Sequence, residues 1–229
     1  MKVGIMQPNY IGWKGFFDMI ASVDLFMVLD DVQYTRQDWR NRNKIKTASG
    51  TRWLTIPVHV NNLYEQTIRD TEVADPGWSG KHWQQITDAY KTAPFFHSHK
   101  LRLQYAYASL ADEPMLTKIN QTLIHMICWI LDITTPIVNA SDYNVEGKGS
   151  DRILGLCQAA GADTYLSGVA AKAYLDEPSF AQAGIELCYM HYDYPEYQQV
   201  HQPFEHKVSV IDVIFNTGDD ALSHIKRNS

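Results

Sequence analysis

The opening of the chain limits the fold more than any other stretch. Val3–Met6 is an apolar run that stops at Gln7-Pro8. Gly12–Ser22 then carries Trp13, Phe16, Phe17 and Ile20 at helical spacing. Val23–Leu29 is a second apolar, β-branched run. Strand, helix and strand in so short a span make a βαβ unit, whose strands run parallel. Ligands of such sheets bind beyond the carboxyl ends of the strands. Those ends carry Gln7-Pro8-Asn9-Tyr10 and Asp30-Asp31-Val32-Gln33. Both polar clusters are therefore expected to face one crevice.

The rest of the chain continues the alternation with one interruption. Arg36–Lys46 is dense in Arg, Asn and Lys, and Thr51–Val60 reads as a strand with Pro57 marking an edge or bulge. Asn61–Gly80 is loop-rich. Helices are expected at Lys81–Tyr90, Leu101–Ala111 and Met115–Leu131, and short strands at Ile137–Asn139, Thr164–Ser167 and Glu186–His191. Asp151–Ala160 reads as a helix ended by Gly161, and Val208–Phe215 as a buried helix. The expectation is an α/β fold: a mostly parallel sheet that opens with the βαβ unit, forming one domain over residues 1–229 with a helical insertion around residues 80–132.

Composition removes several function classes. With 45% hydrophobic and 20% charged residues, the 229-residue chain can bury a core and is not disordered overall. A net charge of -6 argues against wrapping duplex nucleic acid but leaves room for a local basic pocket. No apolar run approaches the roughly 18–20 residues of a membrane span. The short apolar start is not a secretory signal, and three widely spaced cysteines (Cys128, Cys157, Cys188) suit a reducing compartment. The expected location is the cytoplasm.

Four groups of residues can carry chemistry. A carboxylate at a strand's carboxyl end, Asp30 or Asp31, can accept a proton, although Asp30 can equally cap the next turn. Trp39-Arg40-Asn41-Arg42-Asn43-Lys44 sets forked and point cations beside amides and an aromatic, as a phosphorylated or carboxylated ligand requires; a solvated loop is the plain alternative. Thr164–Lys172 runs from a strand into a small-residue turn that can bring the Ser167 hydroxyl and nearby N–H groups to an anion, yet it lacks the frame of a P-loop. His201 has a side chain that titrates near neutrality. His191, His201 and His206 lack metal-ligand spacing, and His97 and His99 are expected in an exposed loop, so no metal site is expected. Cys157 and Cys188 sit in apolar runs and read as core residues.

The strand followed by P-x-Y-x-G is an echo of the adenylate-forming transferases with two phosphate-binding histidines, but neither histidine is present. A far more extensive likeness rests on IMQPNYIGWKGFF, DLFMVLDDVQYTRQDWRNRNKI, DAYKTAPFF, GSDRILGLCQAAGADTYLSG, FAQAGIELCYMHYDYPEYQQ and VSVIDVIFNTG. In these segments, from residue 1 to about 218, the chain resembles the WbqC-like protein family. The matching motif positions are Gln7, Pro8, Tyr10, Asp30, Asp31, Gln33, Trp39, Arg42, Asn43, Tyr165, Ser167 and Gly168. The chain departs from its relatives at Ile11-Gly12 and at Val169-Ala170-Ala171, where a Pro and a Gly-containing pair are common.

The resemblance implies a bacterial protein of O-antigen, capsule or related surface-glycan synthesis that transfers a glycyl or other acyl group to an amino sugar. In that expectation Asp31 or His201 takes the amine proton, and Asn43 with the Ser167-Gly168 N–H groups holds the oxyanion. Gln7 and Gln33 contact the substrate, Tyr10 and Trp39 stack on the sugar, and Arg42 and Lys44 hold its phosphate. The partners are a nucleotide-linked amino sugar and an activated donor: a carrier-protein or CoA thioester, or an aminoacyl-tRNA. No cofactor is implied. The alternatives are a non-catalytic sugar-nucleotide-binding scaffold and a metal-assisted hydrolase built on Asp30, Asp31 and His201.

Overall fold

The computed structural model describes residues 1–60 and 65–226. Residues 61–64 of the expected loop lie outside the described residues. The chain forms two compact units. The first comprises Met1–Gln7, Met19–Asp31 and Thr134–Asp193, and the second Pro8–Asp18, Val32–Ile133 and Tyr194–Ser229.

The first unit is built on a parallel sheet. Its strands are β1 (Lys2–Met6), β2 (Leu25–Val28), β5 (Ile137–Asn139), β6 (Thr164–Ser167) and β7 (Glu186–Tyr189), in the order β5-β2-β1-β6-β7. Every pairing is parallel. The expected α/β class and opening βαβ unit are therefore present, with α1 (Lys14–Ala21) as the crossover. The order reverses direction between β1 and β6, and such a switch opens a crevice beyond the carboxyl ends of the strands. Gln7 and Asp30-Asp31 follow β1 and β2, and Ser167 ends β6 just before Gly168, at that side of the sheet. The strands are too short and too apolar to stand alone; Val3, Ile5, Phe26, Met27 and Tyr165 are buried. Helices α5 (Gly149–Ala159) and α6 (Glu177–Gln182) complete the unit. Gly161, at φ +70°, ends the α5 turn where the sequence expects it.

Among the described residues the second unit holds a hairpin and a set of helices. The strands β3 (Arg42–Thr47) and β4 (Gly50–Thr55) pair antiparallel around a tight turn, and Gly50 supplies its φ of +111°. The hairpin takes in the end of the Arg- and Lys-rich segment and shortens the expected Thr51–Val60 strand, which stops before Pro57. The helices are α2 (Trp78–Tyr90), α3 (Phe96–Ser109), α4 (Leu116–Ile130) and α7 (Ile211–Thr217). Helices α2 to α4 occupy the expected insertion; α2 starts three residues earlier and α3 five residues earlier than the sequence suggests. His97 and His99 accordingly lie in α3, not in a loop, and His99 is buried. The core of this unit is aromatic: Phe215 packs on Tyr90 and Phe96 at ring separations of 5.3 and 5.1 Å.

Candidate functional site

The sequence-selected residues divide between the two units. Gln7, Asp31, Ser167 and Gly168 belong to the first; Tyr10, Gln33, Trp39, Arg42, Asn43, Lys44 and His201 belong to the second.

In the second unit the segment after β1 forms one wall of a cavity of about 380 Å³. It is lined by Asn9, Trp13, Trp39, Asn43, Lys44 and Lys207. Backbone pairing fixes this wall. Tyr10 N–H donates to the Trp39 carbonyl at 2.9 Å, Val210 N–H to Gly12 and Ser209 N–H to Lys44. Asn43, on the inward face of β3, donates through Nδ2 to the carbonyls of Tyr10 (3.1 Å) and Ile11 (3.0 Å). The Ser209 hydroxyl donates to the same Ile11 carbonyl at 2.6 Å. Ile11 has a φ of +36°, so this turn is held rather than relaxed. The seat of Trp13 depends on Gly15: a Cβ there would stand 2.4 Å from the indole.

At the edge of the cavity Trp39 and the hairpin form a ledge of aromatic rings and cations. Trp39 and Trp53 lie 5.6 Å apart, and about 40% of each is exposed. The Arg42 guanidinium sits 4.2 Å from the Trp53 ring centre and Lys44 Nζ 5.0 Å. These are cation–π contacts, made possible because Lys44 and Trp53 are cross-strand partners. Asp38 is already engaged: it accepts from Thr35 and from the Trp39 N–H, and pairs with Arg40 at 3.3 Å.

Three expected roles change with this geometry. Tyr10 is fully buried and offers no face to a sugar; its hydroxyl lies 2.7 Å from both His82 Nδ1 and the Tyr107 hydroxyl. Asn43 lines the cavity, but its amide hydrogens are spent on Tyr10 and Ile11, so it shapes the wall instead of holding an oxyanion. Arg42 stacks on Trp53 and donates to the Gln37 carbonyl, which leaves Lys44 and Lys207 as the cations on the cavity. Gln33 pairs through its backbone with Thr67, and His201 Nε2 donates to the Ala89 carbonyl at 2.8 Å. Trp13, Trp53 and Lys207 were not singled out by the sequence. A Trp one position ahead of a helix and a Lys beside a histidine carry no pattern of their own.

Behind Trp13 lies a buried polar cluster. Trp13 meets Tyr194 edge-on at 6.1 Å. Lys14 is 1% exposed; its Nζ is 4.9 Å from the Tyr194 ring centre, 5.4 Å from Tyr197 and 3.1 Å from His206 Nδ1. Burial pulls the Lys14 amine down to about 8, against the opposing pull of Asp212. Asp212, itself fully buried, accepts from Tyr197, Tyr90 and Gln199. Burial raises its carboxyl, and those three bonds oppose the rise.

The first unit offers a second, polar cleft of about 370 Å³ at the carboxyl end of β2. Asp31 Oδ2 accepts from Arg152 Nη2 there, beside Ser141, Asn144 and Glu146. Ser167 is buried and donates to the Tyr165 hydroxyl at 3.2 Å. Gly168 follows it, close enough that a Cβ would stand 3.3 Å from the Tyr192 hydroxyl. Gln7 Oε1 is buried and has no hydrogen-bond partner among the described residues. Burial pushes the Cys128 and Cys157 thiols up to about 12, which suits core packing and not nucleophilic attack. Among the described residues no group of three or more His, Cys, Asp and Glu side chains gathers as a metal site requires. Among the same residues no helix is long and apolar enough to cross a membrane.

The profile of the WbqC-like protein family matches residues 7–224. A Mycobacterium tuberculosis protein named "Uncharacterized protein Rv1507c" is 39% identical over 226 residues, which is 98% of this chain and 97% of the relative. No solved structure matches the chain.

Proposed function

The chain belongs to the WbqC-like protein family, and we propose that it transfers an acyl or aminoacyl group, such as glycyl, to the amine of a phosphate-linked amino sugar during bacterial surface-glycan synthesis in the cytoplasm. The observation that carries this reading is the composition of the cavity wall: Trp13 and Trp39, Asn9 and Asn43, Lys44 and Lys207. A pyranose has apolar C–H faces that pack on indole rings and hydroxyl edges that need polar groups. A linked phosphate needs cations, and the two lysines supply them on a chain that is acidic overall.

The same lysines suit the chemistry. An amino sugar enters mostly as an ammonium, which cannot attack a carbonyl. It must first lose a proton to solvent, and any lysine charge that the phosphate does not neutralise favours that loss. The neutral amine then attacks the donor carbonyl carbon, and the charge that develops on the carbonyl oxygen faces the same cations. Collapse breaks the bond to the donor thiolate or alkoxide, which leaves with the proton released by the amine. The donor arrives activated, as a carrier-protein or CoA thioester or an aminoacyl-tRNA.

Calorimetry tests the binding half of this reading. Glucosamine 1-phosphate is expected to bind, and Trp39→Ala, Lys44→Ala and Lys207→Ala each to weaken it. Equal affinity for inorganic phosphate would contradict the sugar-binding role of the cavity.

A further inference from the structure

We propose that the ledge formed by Trp39 and Trp53 is a nucleobase subsite continuous with the sugar cavity, so that the sugar substrate is carried on a nucleoside diphosphate. The inference rests on the sugar-phosphate reading of that cavity and extends it to the group on the far side of the phosphates.

Three observations join the two places. Trp39 and Lys44 line the cavity, and both also touch Trp53, Trp39 at 5.6 Å between rings and Lys44 at 5.0 Å. A ligand whose phosphates sit at Lys44 therefore reaches Trp53 with its next group. Both indoles stay about 40% exposed although each is large and apolar. Finally, Trp53 is fixed from its own strand and from β3: Arg42 stacks at 4.2 Å and is itself tied to the Gln37 carbonyl. A ring held in this way gives stacking at little cost in side-chain entropy.

The ledge favours a base over a second sugar. Sugar C–H groups seek the electron-rich face of an indole. Arg42 and Lys44 already draw on the π density of Trp53. A flat heteroaromatic base stacks by area and dispersion and does not depend on that π density. The identity of the base is left open by this chemistry, since every base has a π face.

The test uses the full chain and titrates uridine, guanosine and cytidine diphosphates, inorganic pyrophosphate and glucosamine 1-phosphate by calorimetry. At least one nucleoside diphosphate is expected to bind about tenfold or more tightly than pyrophosphate, as base–aromatic stacking allows. Trp53→Ala is expected to erase that difference and Trp53→Phe to keep most of it, while glucosamine 1-phosphate binds all three proteins alike. That last titration also verifies that the variants fold. Nucleoside diphosphates that bind no better than pyrophosphate, with glucosamine 1-phosphate still bound, would overturn the base subsite and leave the sugar reading standing. Failure of every ligand would overturn both.

Discussion

Lys14 donates to Nδ1 of His206 at 3.1 Å inside a cage of tyrosine and phenylalanine rings, with 1% of the lysine exposed. The amine is lowered from 10.5 to about 8, chiefly by burial. Between these values the unfolded chain binds a proton that the folded chain has released, so stability rises with pH across that window. At about 1.4 kcal/mol per pKa unit the gain is on the order of 3 kcal/mol. Lys14→Met keeps the volume and removes the charge. Urea midpoints measured between pH 7 and pH 10 should rise in the native protein and rise much less in the variant. Parallel profiles would show that Lys14 is not desolvated.

His82 titrates on the other side of neutrality. Its Nδ1 lies 2.7 Å from the Tyr10 hydroxyl and its Nε2 3.2 Å from the Thr55 carbonyl, which fixes the neutral ring as an Nε2–H donor. Burial lowers its pKa from 6.5 to about 4. Below about 6.5 the unfolded chain takes up a proton that the folded chain refuses, and stability falls as pH approaches 4. The loss is about 3 kcal/mol at full extent. His82→Asn should start less stable at pH 7 and show a shallower decline down to pH 4.5, as read by urea unfolding at each pH.

Asn43 and Gly15 should affect the cavity through different atoms. Asn43→Ala leaves the Tyr10 carbonyl without its side-chain partner and Ile11 with only the Ser209 hydroxyl, at a cost of about 1–3 kcal/mol. Gly15→Ala places a Cβ where the Trp13 indole sits. It should weaken glucosamine 1-phosphate binding at least tenfold, with little effect on the hairpin. A Gly15→Ala protein with native affinity would remove Trp13 from the binding wall.

In the first unit, Arg152→Ala should cost about 1–3 kcal/mol, because it strips the charged donor from an Asp31 carboxylate that is only 19% exposed. A chemical melt in 0.5 M salt should shrink that cost. A loss that salt leaves unchanged would mean that the pair acts through packing.

The sequence exposed the parallel sheet because its strands are short apolar runs with polar clusters at their carboxyl ends, as at Val3–Met6 and Val23–Leu29. The hairpin stayed hidden for the opposite reason. Arg42, Asn43, Lys44 and Lys46 give a charged alternation, and the inward face is closed by the Asn43 amide and by Ile45, not by an apolar row. Tyr10 shows why residue type misleads at a site. An aromatic beside a polar turn reads as a ligand platform, yet Trp78, His82 and Tyr107 enclose it. Lys207 gained its position through pairing between distant segments, Ser209 with Lys44, which no local pattern records, and Trp53 gained its own through the hairpin that the charged β3 concealed.

The most direct measurement is mass spectrometry of an incubation of the protein with nucleoside-diphosphate amino sugars and activated glycyl, acyl-CoA and carrier-protein donors. The account predicts a mass gain of one acyl group on the sugar amine, abolished by Trp39→Ala and strongly slowed by Lys44→Ala. Tight retention of the sugar nucleotide with no mass gain under any donor would contradict transfer and leave a binding protein in its place.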